Sequence, residues 1–167
     1  MKGKEVFNWA EYESILYKGL HEAVNRINKK HPNIQFYGMC IDCNAEYGQV
    51  LLHLNTESDI KEKNKEEFWD VGDWEYFDII DDLQEKDNFF NKLWGKKEEY
   101  IAENMSEDEE GNSIESFMLM ISKVANRLQT SDAIKQLNKT TNFRIVAADH
   151  DEDIEDGYER MLKLKNA

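Results

Sequence analysis

The 167-residue chain has little proline, glycine and cysteine, and each shortage excludes a class of structure. One proline and eight isolated glycines exclude a proline-rich linker and a glycine-rich phosphate-binding loop. Two cysteines are too few for the disulfide framework of a small secreted domain. No apolar run reaches about 18 residues, so no membrane-spanning helix is predicted. Because the N-terminus also has no apolar signal segment, we expect a cytoplasmic protein.

Basic residues are scarce as well. The chain has 21 Lys and Arg against 35 Asp and Glu, which gives a formal net charge of −14. A field of this sign repels phosphate backbones, so nonspecific nucleic-acid binding is excluded as a function. What the chain does have is apolar side chains: 40 % of its residues are hydrophobic, enough to build a core. With no linker in the sequence, we expect a single globular domain over residues 1–167.

Apolar residues spaced three and four apart predict amphipathic helices. The predicted helices cover residues 9–27, 90–101, 114–128 and 131–137, followed by a last helix that begins near Asp151. This last helix is expected to bury Ile154, Tyr158, Met161 and Leu162. The polar stretch 59–67 is also predicted to be helical, and residues 103–111 are predicted to form a solvated loop.

Short runs of β-branched and aromatic residues predict strands at 34–41, 49–54, 143–148 and about 76–80. The first two form a hairpin, and the first is apolar on both faces, which is typical of a central strand. We therefore predict an α+β fold with a small, mainly antiparallel sheet packed against several amphipathic helices. Strand order and oligomeric state are left open.

Tests for catalytic and cofactor signatures are negative, so no cofactor is predicted. Cys40 and Cys43 form a C-x-x-C pair, but no second pair follows for zinc and no helix follows to activate a thiol. They are expected to be unreactive core or edge thiols on opposite faces of a strand. The zinc-hydrolase motif H-E-x-x-H begins at His21 and fails, because Asn25 stands where the second histidine is needed.

A second hypothesis places a divalent metal ion at the end of the last strand. Asp149, His150 and Asp151 carry the ligand types that Mg²⁺, Mn²⁺ or Zn²⁺ use. Carboxylates from Asp70, Asp73, Asp78 or Asp149, acting with His150, would bind such an ion and support hydrolysis. The alternative is a charged turn between strand and helix, with Asp151 as the helix N-cap.

The acidity is concentrated in stretches of the sequence. Nine acids and no base lie between Glu66 and Glu85, eight acids and no base between Glu98 and Ser122, and six acids between Asp149 and Asp156. Aromatic residues are interleaved with the first stretch and could serve as interface anchors for a basic partner. The candidate partner-binding residues are Trp69, Asp70, Asp73, Trp74, Glu75, Tyr76 and Asp78. The alternative is an acidic surface whose aromatic side chains turn into the core.

The segment from Trp69 to Tyr76 has the pattern W-x-x-x-D-W-x-Y, and it follows a predicted F-Y-G-M-C-I-D strand. In this segment and in its order of elements, the chain resembles an uncharacterised bacterial family of domains of unknown function. The resemblance implies kinship with small immunity proteins, which protect bacteria from protein toxins. It implies no catalytic residues.

Two functions therefore remain open. The first is a non-enzymatic protein-binding domain of the immunity type, whose acidic, aromatic-bearing face takes a basic protein such as a toxin. The second is a divalent-metal-dependent hydrolase that uses carboxylates and His150. Neither involves a nucleic-acid or membrane partner.

Overall fold

The computed structural model describes residues 7–58, 71, 74, 89–105 and 112–166. The predicted helix at 59–67 and the predicted strand at 76–80 lie outside these residues, as does most of the predicted loop at 103–111. The described elements are α1 (Trp9–Lys30), β1 (Phe36–Asn44), β2 (Gln49–Thr56), α2 (Phe89–Asn104), α3 (Asn112–Gln129), α4 (Asp132–Gln136), β3 (Lys139–Asp149) and α5 (Ile154–Asn166). Among these helices, none has an apolar stretch long enough to cross a membrane.

Helix α1 begins and ends where its sequence directs. The Asn8 side chain caps its first turn by accepting a hydrogen bond from the Glu11 N–H. The helix ends at Lys30 with His31 as its C-cap, because Pro32 disfavours a helical conformation in the residue that precedes it. Its buried side chains recur at helical spacing and pack against α2, α3 and α4.

Within the described residues the sheet has three strands in the order β2-β1-β3, so β1 is central, as its apolar sequence predicts. Strand β1 pairs antiparallel with β2 and parallel with β3. The α+β class is confirmed, and the sheet is mixed rather than mainly antiparallel. The parallel pair arises because the chain between β2 and β3 is long and contains α2, α3 and α4, whereas an antiparallel partner needs only a short turn.

The main core lies on one face of the sheet. On that face Met39 and Ile41 of β1 align with Leu54 and Leu52 of β2, and with Ile145 and Ala147 of β3. These side chains belong to one buried cluster with the inward faces of α1 and α3. The opposite face is buried as well. It carries Cys40, which pairs across the strands with His53 and Val146, all three being inaccessible to solvent.

Helix α5 lies against β3 and α3. Gly157 is the point of closest approach: a Cβ at this position would overlap the backbone carbonyl of Ala147 and lie 3.1 Å from the Ala148 Cβ. The predicted burial of Met161 is confirmed. Leu162 is 41 % exposed, so its predicted burial is wrong. The reason is that the face of α5 that carries Gly157 is turned toward the sheet, and Leu162 lies on another face of the helix.

Both cysteines are buried core thiols, as predicted. Burial raises the pKa of the Cys40 thiol, and the nearby Asp42 carboxylate adds to this effect. Burial also raises the pKa of Cys43, whose Sγ donates to the Ala148 carbonyl oxygen at 3.2 Å and lies 3.6 Å from the Met118 Sδ. Neither residue has the electropositive, accessible setting that makes a thiol reactive.

We therefore expect no reaction of either thiol with a disulfide reagent in the native protein at pH 8. Both should react once denaturant unfolds the chain, because the thiolate then becomes accessible. Measuring released thiolate by absorbance checks this. Fast modification of the native protein would contradict the buried placement of the two side chains.

Candidate partner-binding surface at one end of the sheet

Two turns meet at one end of the sheet. The β1–β2 turn covers residues 45–48 and the β3–α5 turn covers residues 150–153; together they are called the sheet-end surface. The two turns are joined by two hydrogen bonds: the Ala45 N–H donates to the Asp149 Oδ2 at 2.9 Å, and the His150 N–H donates to the Cys43 carbonyl at 2.7 Å. They meet because β1 and β3 are parallel, so both strands end at the same edge.

The β1–β2 turn is held rigidly. Gly48 has a φ of +68°, which favours glycine, and a Cβ there would lie 2.8 Å from the Ile101 side chain. The Trp94 indole N–H donates to the Gly48 carbonyl at 3.1 Å, which ties the turn to α2. The preceding residue, Tyr47, is 57 % exposed, the most exposed large hydrophobic side chain in the described part of the chain.

A carboxylate lies between two histidines beside these turns. The Asp42 Oδ2 is 3.3 Å from the His53 Nε2 and 3.4 Å from the His150 Nδ1. His53 is fully buried, whereas the side chain of His150 is 67 % exposed at the surface. Asp42 thereby connects the interior of the sheet to the β3–α5 turn.

The β3–α5 turn is fixed by Arg160. Its guanidinium forms a bidentate ion pair with Glu152, with Nη2 and Oε2 separated by 2.8 Å. It also donates to the Ser122 Oγ at 3.0 Å and to the Ala147 carbonyl at 3.1 Å. Burial alone would raise the pKa of Glu152, but the hydrogen bonds from Arg160 and from the Asp149 N–H, with the guanidinium charge, lower it overall.

The two joined turns together carry several acids and one exposed aromatic ring. Six acids and no Lys or Arg lie between Asp149 and Asp156, and Glu46 adds a further exposed carboxylate next to Tyr47. The nearest base in the sequence, Arg160, is already paired with Glu152. An acidic patch with an aromatic ring on a rigid turn is suited to contacting a cationic group.

The predicted partner-binding residues lie in the segment 69–78, of which the structure describes only Val71 and Trp74. The Trp74 side chain is 3 % exposed, which favours the alternative in which this aromatic ring packs in the interior. The six other candidates lie outside the described residues: Trp69, Asp70, Asp73, Glu75, Tyr76 and Asp78.

The structure places the predicted metal ligand Asp149 at the end of β3, and His150 and Asp151 in the β3–α5 turn. Both carboxylate oxygens of Asp149 accept backbone N–H groups, from Ala45 and Asp151, so this side chain serves as a turn cap. Among the described residues, no group of three or more His, Cys, Asp or Glu is placed to hold a metal ion. The prediction of Asp151 as the helix N-cap is wrong, because α5 begins three residues later at Ile154.

Sequence reasoning missed Asp42, Glu46 and Tyr47 as parts of this surface. The hairpin loop itself was predicted, and an exposed tyrosine in a tight loop is a signal of a contact surface. Its proximity to the acidic stretch at 149–156 depends on the parallel pairing of β1 with β3. That pairing is not visible in local sequence patterns.

Comparison with known proteins gives a family and no function. No curated protein and no solved structure shows significant similarity to the chain. A family model described as a domain of unknown function, DUF4303, matches residues 16–167, which is most of the chain and includes every described strand. The expected kinship with a family of domains of unknown function is thereby confirmed, and the chain belongs to the DUF4303 family.

Proposed function

We propose that the chain is a non-enzymatic protein-binding domain of the toxin-immunity type, and that its sheet-end surface takes a basic partner protein. The observation that carries the proposal is the position of Tyr47, an exposed ring on a rigid turn hydrogen-bonded to the acidic β3–α5 turn. Aromatic anchors surrounded by polar residues are the usual source of binding energy in protein interfaces.

Charge supports a basic partner. No Lys or Arg lies within 149–156, and the formal net charge of −14 has the same sign as this stretch. Such a field accelerates association with a cationic protein and weakens as salt is added. Acidic carboxylates around the ring can pair with arginine or lysine side chains that stack on it.

The rigid contacts of both turns favour a binding surface that is already formed before the partner binds. Because Gly48 is fixed by Trp94 and Ile101, Tyr47 loses little conformational freedom on association. Arg160 does the same for the other turn by holding Glu152. The proposal includes a second contact region, which contains Trp69, Asp70, Asp73, Glu75, Tyr76 and Asp78.

The test is coexpression with the protein encoded by the adjacent gene, followed by calorimetry of the purified pair at low and high salt. Tyr47→Ala is expected to weaken binding by about 2 kcal/mol, a loss typical of an interface anchor. Asp151→Lys should also weaken binding. Its effect on affinity should be larger at low salt than at high salt, because the substitution changes a long-range attraction that salt screens.

A matched control is Glu22→Lys, which makes the same change of charge on an exposed position of α1, away from both turns. It should retain nearly all of the affinity. If Glu22→Lys and Asp151→Lys weaken binding equally, net charge rather than the sheet-end surface determines recognition. If a folded protein captures no basic partner, the proposed function is wrong.

A further inference from the structure

A groove of about 440 Å³ lies between the first half of α1 and the middle of α2, and the proposed function does not use it. Its apolar walls come from Tyr12 and Ile15 of α1 and from Leu93 and Tyr100 of α2. Its volume is within the range of small-molecule sites in proteins. The groove is open to solvent and combines this apolar wall with charged and polar groups from both helices.

The floor of the groove is fixed by aromatic packing. Tyr12 is buried, with its ring edge-on to Trp9 at 5.6 Å and to Trp94 at 6.3 Å between centroids. Tyr100 packs edge-on to Phe7 at 5.6 Å. These contacts hold both tyrosines in place without a ligand, so the groove does not have to form during binding.

Two lysines lie on the groove, and they differ in whether an acid is paired with them. The Lys97 ammonium is 2.7 Å from the Glu11 carboxylate and lies 4.8 Å above the centre of the Tyr12 ring, so its charge is compensated. Lys96, the next cation on the groove, has no ion pair with an acid in the described part of the chain. Asn8, which caps α1, also lines the groove and places the positive end of the helix dipole there.

We propose that this groove binds a small organic anion that carries its carboxylate on an apolar, aromatic-sized body. The carboxylate pairs with Lys96 near the N-terminus of α1, and the apolar body lies against Ile15, Leu93 and the two tyrosines. With Lys96, Lys97 and Glu11 on it, the groove carries a net positive charge, in contrast to the formal charge of −14 of the chain. The site is separate from the sheet-end surface, so the two proposals stand independently.

The probe is naphthoate, compared with the uncharged naphthamide of nearly the same shape. Titration of the isotope-labelled full chain by heteronuclear NMR should shift amides at the start of α1 and in α2 with naphthoate. Naphthamide should bind about tenfold or more weakly, since it lacks the charge that pairs with Lys96. Equal affinities for both probes, or naphthoate shifts confined to other elements, would overturn the proposal.

Two variants locate the site. Lys96→Glu should reduce naphthoate affinity by about tenfold or more, while Lys123→Glu, the same charge change on an exposed position of α3, should leave it unchanged. Leu93→Trp should block both probes by filling the groove. Circular dichroism confirms that each variant is folded. Unchanged affinity in folded Lys96→Glu, or an equal loss in Lys123→Glu, would show that the groove is not an anion site.

Discussion

Gly157→Ala is expected to destabilise the protein by about 3 kcal/mol, because the added methyl group overlaps the backbone of β3. The Cβ would collide with the Ala147 carbonyl, and a backbone atom in a paired strand cannot turn aside as a flexible side chain can. Helix α5 would have to move away from the sheet, and the Arg160 contacts with β3 and α3 would be lost with it. Denaturant unfolding followed by tryptophan fluorescence measures the loss.

The same substitution at Gly95 is the control. Gly95 is an exposed position inside α2, and a Cβ there meets nothing within 4 Å. Gly95→Ala should therefore stabilise the protein by about 0.5–1 kcal/mol, the difference in helix propensity between the two residues. If Gly157→Ala is also stabilising, helix α5 does not lie against β3 in the way described.

Arg160→Met should destabilise the protein by about 3 kcal/mol, because it leaves Glu152 half-buried without its cation. It also removes the donors to the Ser122 hydroxyl and the Ala147 carbonyl, and unsatisfied polar groups carry a cost of their own. The double variant Arg160→Met, Glu152→Leu should be more stable than Arg160→Met alone, since the uncompensated carboxylate is gone. Chemical denaturation of the two single variants and the double variant measures this coupling.

The same ion pair makes a pH-dependent contribution. The pKa of Glu152 is lower in the folded protein than its ordinary value of 4.5, so folding favours the ionised form. The stabilisation is fully present above pH 4.5 and is lost as the pH falls through the folded pKa. The stability gap between the protein and Glu152→Gln should therefore narrow from pH 6 to pH 3. A gap that widens on acidification would contradict this assignment.

The local pattern of apolar residues in the sequence was sufficient to predict most of the described helices and strands. The spacing of apolar residues placed α1, α3 and α5 within a few residues of their observed ends, and the two-sided apolar sequence of β1 predicted its central position. The parallel pairing of β1 with β3 was not predictable, because it depends on contacts between residues about a hundred positions apart. Leu162 also follows the helical period, yet the close approach at Gly157 rotates it toward solvent.

The candidate site was less predictable than the fold. Composition predicted an acidic surface, and the stretch at 149–156 contributes to it. The sequence directed attention to aromatic residues among acids, such as Trp74, which is buried. Tyr47 was overlooked because the turn that carries it meets the acidic stretch at 149–156 only through the pairing of strands that are distant in sequence. Lys97 lies on the helical face of α2 that packs toward α1, and its pairing with Glu11 explains why a lysine is tolerated there.

The parallel pairing of β1 with β3 also has a consequence for synthesis on the ribosome. The β1–β2 hairpin can form early, but β1 stays without its second neighbour until residues 139–149 have emerged. Contacts this distant in sequence slow folding, and an open apolar strand edge is prone to pairing with other chains. The nascent protein is therefore vulnerable to aggregation until residues 139–149 have emerged, because its central strand stays uncovered on one side until then.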